Sequence, residues 1–241
     1  SAYGKNAALC HYHAVPEHCA SLQARDLYLV DSGGQYYEGT TDITRTIALG
    51  PVTDEEKEHY TLVLMSMLRL GHVKFLEGCT GLSLDYAARA PFWKRGLDFN
   101  HGTGHGVGYL LNIHEGPINF RWKEGKTPYR VVPERQENTP FMPGMVCSDE
   151  PGIYIEGSHG IRTENLIYCK KDEKTDYGQF LSFEYLTYVP IDLEPVDVSL
   201  MEEQDLAWLN EYHAQLYAKI APHLDAEEAD WLKEVTRPLS K

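Results

Sequence analysis

No pair of cysteines has the CxxC spacing of a thiolate metal site. The five cysteines, Cys10, Cys19, Cys79, Cys147 and Cys169, are odd in number and scattered. That argues against a disulfide framework and for reduced thiols in a cytoplasmic protein. No apolar run approaches the ~18 residues that a membrane span needs. The best candidate, Tyr60 to Leu70, is broken by Thr61, Ser66 and Arg69. Positive charge is scarce: Lys and Arg total 22 against 36 Asp and Glu, a formal net charge of −14. The basic field that phosphate binding needs is missing, which argues against a nucleic-acid partner. There is no short-period repeat and no low-complexity segment. The chain opens Ser-Ala-Tyr-Gly without Met, and a fragment or a processed product is expected.

What remains is an ordinary globular balance, 42% hydrophobic and 24% charged, with carboxylates to spare for divalent metals. The length suits one large domain or two small ones. Residues 1–50 read as strands and turns: an apolar run from Asp26 to Asp31, a turn at Ser32-Gly33-Gly34, and a β-branched stretch from Thr40 to Ile47. Thr53 and Glu56 make a capping box, which predicts a helix running to about Glu77. A second helix starts near Leu82, and Pro91 should kink or end it. Residues 100–118 are too rich in Gly for a helix. Residues 119–144 are polar, hold four prolines and read as a long excursion. Strands are expected at Met145–Tyr154, His159–Cys169 and Phe180–Pro190, followed by C-terminal helices with Leu206, Leu209, Leu216 and Ile220 on one face.

Two acidic pairs lie on apparent hairpins. Asp31 and Asp42 face each other if the turn falls between Tyr36 and Tyr37, and Glu150 and Glu164 do so if it falls on Gly157. Directly opposed residues share a face with Cβ atoms ~5 Å apart. Like charges so placed destabilise a sheet, and a divalent cation between them reverses that sign. Taken alone, each pair reads first as solvent-facing charge on a hairpin. Their position at the ends of apolar strands tips the balance, because buried carboxylates are costly unless paired or bound to metal.

Histidine supplies the second signal. His101 and His105 flank alternating glycines in His101-Gly102-Thr103-Gly104-His105-Gly106-Val107-Gly108, a pattern that favours close backbone approach over a helix. It is neither HExxH nor the dinucleotide fingerprint. His114 follows nine residues on, and His11 lies near the start with His13 and His18. His59, His72, His213 and His223 fall on expected helices and read as packing or surface residues.

The ordered set Asp31, Asp42, His105, Glu150 and Glu164 resembles the five metal ligands of the pita-bread metallopeptidases. The wording of five segments is similar to the aminopeptidase P (Xaa-Pro aminopeptidase) branch of eukaryotic cytosolic type: residues 28–46 (YLVDSGGQYYEGTTDITRT), 97–117 (LDFNHGTGHGVGYLLNIHEGP), 148–154 (SDEPGIY), 159–166 (HGIRTENL) and 181–197 (LSFEYLTYVPIDLEPVD). The resemblance covers nearly all of the chain except residues 119–140. It implies an α+β fold with a curved antiparallel sheet and helices outside. It also implies that residues 1–241 form a C-terminal metallopeptidase domain, incomplete on its N-terminal side.

The implied cofactor is two divalent cations per chain, manganese first, with cobalt, zinc or iron as alternatives for so hard and oxygen-rich a site. By resemblance, Asp42 and Glu164 bridge the ions, Asp31 is terminal on one, and His105 and Glu150 are terminal on the other. Glu150 is the candidate general base. His101 and His114 resemble the histidines that hold the substrate carbonyl, and His11 one that lines the pocket on the proline side. Arg162 is placed to orient a ligand carboxylate. The implied activity is release of the N-terminal residue from peptides with proline second. The alternatives are a prolidase acting on Xaa-Pro dipeptides and an inactive pita-bread binding module. Expected partners are such peptides and the missing N-terminal part of the same protein, docked as a separate chain if the polypeptide is nicked, with a homodimer left open. Without that part, the sheet face beneath Leu9, Leu27, Leu29 and Ile43 is expected to be partly uncovered, and the chain is expected not to fold stably alone.

Overall fold

The computed structural model describes residues 1–110, 112–122, 126–127, 130–131 and 139–241. Antiparallel pairing dominates. Strands β1 (Ala2–Tyr3), β2 (Leu27–Tyr36) and β3 (Gly39–Ala48) make a three-stranded sheet in that order. Helix α1 (Asp54–Gly71), strand β4 (Lys74–Leu76) and helix α2 (Gly81–Trp93) follow. Next come β5 (Gly104–Val107), β6 (His114–Phe120), the paired short strands β7 (Lys126–Thr127) and β8 (Arg130–Val131), and β9 (Val146–Asp149). Strands β10 (Gly152–Ile155) and β11 (His159–Arg162) form a hairpin, and β12 (Asn165–Thr175) and β13 (Gly178–Tyr185) complete a six-stranded sheet ordered β4-β13-β12-β9-β5-β6. Helices α3 (Glu203–Ile220) and α4 (Ala226–Val235) close the chain.

Several expectations needed correction. Ser32-Gly33-Gly34 is not a turn; it continues β2, with Gly33 opposite Asp42. A Cβ on Gly33 would stand 2.8 Å from the Thr41 carbonyl oxygen, so only glycine lets the strands approach this closely. The loop is the two residues Tyr37 and Glu38, which sets Asp31 opposite Thr44 rather than Asp42. The first helix stops at Gly71 instead of near Glu77, because Lys74–Leu76 leave it to pair with β13. Pro91 lies inside α2, but in its last turn, and the helix ends two residues later at Trp93. The expected strand Met145–Tyr154 breaks at Glu150-Pro151, and His159–Cys169 breaks at Thr163-Glu164. The excursion starts later than residue 119, since Ile118 and Phe120 are buried in β6. Its residues 123–125, 128–129 and 132–138 lie outside the described residues.

The core lies where α1 packs against β9, β10, β11 and β13. Thr53 and Glu56 close the predicted capping box. Tyr60, Leu62, Val63, Leu64, Met67 and Leu68 are all buried, so α1 is a central helix rather than a surface one. Each such side chain contributes roughly 1.5–3 kcal/mol on burial. The sheet face around Leu27 and Leu29 is covered, against expectation: they are 1% and 5% exposed and turn into the molecule with Thr44 and Thr46. Ile43 lies on the opposite face and is half-buried, and Leu9 is 63% exposed in the loop after a 3-10 turn.

The two sheets join through side chains and one ladder-like contact. The Glu164 amide donates to the Thr44 carbonyl at 3.0 Å. Arg45, 5% exposed, sends donors to the carbonyls of Thr44, Glu164, Val189 and Pro190 and to Asn165 and Tyr212. That junction places the acidic ends of both hairpins side by side.

Candidate metal centre

Register brings the carboxylates together. Asp31 and Asp42 sit diagonally on one face of the β2–β3 ribbon. The β9–β12 and β10–β11 ladders share one register, Asn165 opposite Asp149 and Gly152 opposite Arg162, so Glu150 and Glu164 occupy matching positions in the gap between them. β5 lies beside β9, and a Cβ on Gly104 would stand 1.9 Å from the Ser148 carbonyl oxygen. Glycine there allows the approach that carries His105 to the same spot.

The donors converge. Ligand atoms of Asp42, His105 and Glu164 all lie within 4.8 Å of one another. His105 Nε2 is 3.3 Å from Glu150 Oε1 and 3.5 Å from Asp42 Oδ2. Its Nδ1 lies 3.0 Å from the Gly106 carbonyl, a contact that as a donor bond leaves Nε2 free to ligate. The Thr44 hydroxyl donates to Glu164 Oε2 at 2.7 Å, and the Ser148 hydroxyl to Glu150 Oε1 at 3.1 Å. Asp31 stands apart, its side chain 44% exposed and held by Arg162 Nη2 at 2.6 Å.

Electrostatics describe a site built for cations. Burial, with Glu150 and Asp42 adding repulsion, pushes the Glu164 carboxyl well above the usual carboxylate range. Burial likewise raises Glu150 to about 7, against the pull of His105 and Arg162. Burial alone would lower His105, but the Asp42 and Glu150 carboxylates outweigh it and raise the imidazole. Acidic groups that press each other toward neutrality are relieved by a divalent cation, and carboxylate with imidazole is the hard donor set such ions take. The residues present therefore fit a divalent metal centre.

The remaining candidates surround this cluster. His101 is half-buried, with Nε2 3.0 Å from the Tyr154 hydroxyl. Burial, with Arg162, Arg89 and Arg121 nearby, lowers it to about 4, so it is neutral at physiological pH. The Tyr154 hydroxyl accepts from Arg162 Nη1 at 3.0 Å, and Arg162 Nε donates to Thr44 at 3.1 Å. Arg162 thus reaches Asp31, Tyr154 and Thr44 at once. The His114 ring is exposed, 4.0 Å from that of His105. His11 is exposed in the loop between β1 and β2.

Sequence reading passed over Thr44, Ser148 and Tyr154. A signal was present: each is two or four residues from Asp42 or Glu150, the period that returns a strand to the same face. Of the other histidines, His59 Nδ1 meets His159 Nε2 at 2.8 Å, His72 stacks on Trp208 at 4.6 Å, and His213 accepts the Ile191 amide at 3.1 Å, all away from the cluster.

Comparison with known proteins agrees with this geometry. The profile of metallopeptidase family M24 matches residues 1–171, and that of the C-terminal region of peptidase M24 matches residues 179–239. An "Aminopeptidase P1" of Lotus japonicus is 42% identical over 243 residues, covering 99% of this chain and 35% of its own. A "Probable Xaa-Pro aminopeptidase P" of Sclerotinia sclerotiorum is 43% identical over 244 residues, covering 99% of this chain and 39% of its own. This chain therefore spans little more than a third of such relatives. Among solved structures, an X-prolyl aminopeptidase from Caenorhabditis elegans, described as a cytosolic enzyme with a di-nuclear active site, superposes with a TM-score of 0.88 at 38% identity, over 99% of this chain and 38% of that one. Prolidase from Pyrococcus furiosus gives a TM-score of 0.62 at 30% identity, over 78% of this chain and 48% of that one. With both profiles matching in order and the pita-bread α+β fold in common, the chain belongs to metallopeptidase family M24.

Proposed function

We propose that this chain is the C-terminal metallopeptidase domain of an Xaa-Pro aminopeptidase, releasing the N-terminal residue from peptides with proline in second position. The observation that carries the reading is the convergence of Asp42, His105 and Glu164, with Glu150 against His105, in a chain 42–43% identical to aminopeptidase P proteins. In this reading Asp31, Asp42, His105, Glu150 and Glu164 hold two divalent cations, and manganese suits their oxygen-rich set. The cations supply Lewis acidity and make water acidic enough to attack at neutral pH.

The protein's own groups do the rest. Glu150, which accepts from the Ser148 hydroxyl and lies 3.3 Å from His105 Nε2, is placed to take the proton of the attacking water and return it to the departing proline nitrogen. His101 and His114 flank the cluster on the side that meets the substrate carbonyl, and His114 donates to the carbonyl oxygen as charge develops there, an effect of ~3 kcal/mol per donor. His101 is neutral and donates from Nδ1 to the Gly102 carbonyl at 2.7 Å, so its Nε2 is an acceptor, which the Tyr154 hydroxyl meets at 3.0 Å. His11 lines the proline side. Arg162 holds Asp31 in place. A cytoplasmic setting accords with the cytosolic nematode relative.

A prolidase is the second reading, favoured by the likeness to the Pyrococcus enzyme, although that likeness is weaker in both identity and superposition. Metal analysis together with hydrolysis of an Xaa-Pro dipeptide and an Xaa-Pro-Pro tripeptide tests both. Two divalent ions per chain with cleavage of the tripeptide is the expected result. Cleavage of the dipeptide alone would make the protein a prolidase, and a metal-free inert chain would make it a binding module.

A further inference from the structure

Helix α2 carries two charged residues that the chemistry above does not use. Arg89 is 1% exposed, and Asp85, one turn earlier, is fully buried. Buried charge is costly unless its donors and acceptors are all engaged. Arg89 Nε donates to Asp85 Oδ2 at 2.7 Å. Its Nη1 donates to Asp98 Oδ1 at 2.6 Å and to the Phe99 carbonyl at 2.8 Å, and its Nη2 donates to the His101 carbonyl at 2.8 Å. The guanidinium carbon lies 4.0 Å from the centre of the Phe99 ring, which in turn packs 4.9 Å from the His101 imidazole. The second oxygen of Asp85 accepts the Thr103 hydroxyl. Thr103 is then fixed on both sides, its amide on the Phe120 carbonyl at 2.8 Å and its carbonyl on the Glu150 amide at 2.7 Å.

We infer that Asp85 and Arg89 are a positioning clamp, which fixes segment 98–103 from behind so that the His101 ring and the Glu150 backbone stand in one frame. The inference rests on the proposed function in taking His101 as a group that meets substrate. Neither Asp85 nor Arg89 touches the cluster; both act through His101 and Thr103. Arginine is required because one planar fork must serve two carboxylates and two carbonyls in fixed directions while its face stacks on a ring. Lysine keeps the charge but offers a single ammonium. The carbonyl of His101 and the ring of Phe99 would then lose their common anchor, and displacements of about 1 Å in a site cost on the order of 10²-fold in rate.

The test is Arg89→Lys in the metal-loaded protein with an Xaa-Pro-Pro peptide. We expect kcat to fall roughly 10- to 100-fold at unchanged metal content, with KM moving less than about threefold. Combined with His101→Gln, Arg89→Lys should cost less than about threefold further, because the two act as one unit. Full additivity, or wild-type kcat in Arg89→Lys, would overturn the clamp. A second readout does not depend on turnover: the ring-proton resonances of His101 should shift and broaden in Arg89→Lys, and identical resonances would overturn the inference. If the wild-type protein cleaves no Xaa-Pro peptide, the proposed function fails, while this resonance still decides the clamp. Should Arg89→Lys fail to fold, Thr103→Val severs only the Asp85 link. It should lower kcat roughly fivefold with metal retained and move the His101 resonances. Leaving both at wild-type values would overturn the clamp.

Discussion

Arg162 Nη2 lies 2.6 Å from Asp31 Oδ2, while its Nε lies 4.0 Å from Glu150 Oε2. One cation therefore stands between carboxylates that come from different sheets. Arg162 is 5% exposed on its side chain, and burial would favour its neutral form. Tyr154, Asp31 and Glu150 reverse that and hold its pKa above the ordinary value. Asp31 has little else to orient it, being half-exposed. We expect Arg162→Gln to loosen Asp31, to lower metal occupancy from two ions toward one per chain, and to reduce kcat by roughly 10-fold or more. Metal counting by mass spectrometry beside turnover checks this. Full occupancy with unchanged kcat would remove Arg162 from the site.

Glu164 sets function against stability. Its carboxyl is 2% exposed and its pKa stands well above the unfolded value because of burial, then Glu150 and Asp42. A folded pKa above the unfolded one means the folded state binds more protons, so metal-free stability falls as pH rises above the unfolded pKa, until the folded pKa is passed. Glu164→Gln removes that cost. The metal-free variant should melt higher than metal-free wild type near neutral pH, at ~2–4 °C per kcal/mol for a chain of this size. It should also lose most activity and hold at least one ion more weakly. Calorimetry on chelated samples checks the first half. A lower melting temperature for Glu164→Gln would show that the carboxylate is satisfied without a cation.

Much of this site was legible in the order of its residues, and less of it in their register. The Glu150/Glu164 expectation matched because Gly157, with φ at 76°, marks the tight turn of the β10–β11 hairpin. The Asp31/Asp42 expectation slipped by two residues because Tyr36, Tyr37 and Glu38 give no comparable turn signal, and carboxylate positions alone do not set a register. An even slip preserved the face, so both residues still point the same way. Helix α1 overran in the reading because apolar spacing continues past Gly71, and only the pairing of Lys74–Leu76 with β13 ends it. Arg89 was invisible for a different reason. A lone Asp85/Arg89 pair four apart on a helix reads as surface charge, and its burial depends on segment 98–103 folding back over it.

His213 gives acid sensitivity away from the metal centre. It is 1% exposed, and burial first, then Arg45, lowers it from 6.5 to about 4. Its Nε2 accepts the Ile191 amide at 3.1 Å, which requires the neutral ring. A depressed folded pKa means the unfolded state takes up the proton first. The contribution is therefore complete above the unfolded value and is lost as pH falls toward about 4. The full loss amounts to about 3 kcal/mol. His213→Gln keeps an acceptor for Ile191 without titrating. The stability difference between wild type and His213→Gln should shift in favour of the variant as pH falls from neutral to mildly acidic, the shared carboxylates cancelling. Denaturant titrations at each pH check it, and a pH-independent difference would contradict it.

In the proposed function, His114 holds substrate rather than metal. Its ring lies beside that of His105, at 4.0 Å, yet the converging donor group consists of Asp42, His105 and Glu164 without it. Its strand begins there, exposed, while Asp42, His105 and Glu164 beside it are half-buried or buried. An exposed imidazole next to a cluster is placed to meet a ligand entering from solvent. Truncating it should leave the cluster's carboxylates and His105 where they are. His114→Ala is therefore expected to keep its metal content while losing roughly 10²-fold in kcat, the size of effect seen when one donor to a developing oxyanion is removed. KM should change far less, since such a donor strengthens as charge appears on the oxygen rather than on binding. Metal analysis of the purified variant and steady-state kinetics on an Xaa-Pro-Pro peptide measure both. A variant that loses its metals and recovers full turnover on their addition would instead make His114 a ligand.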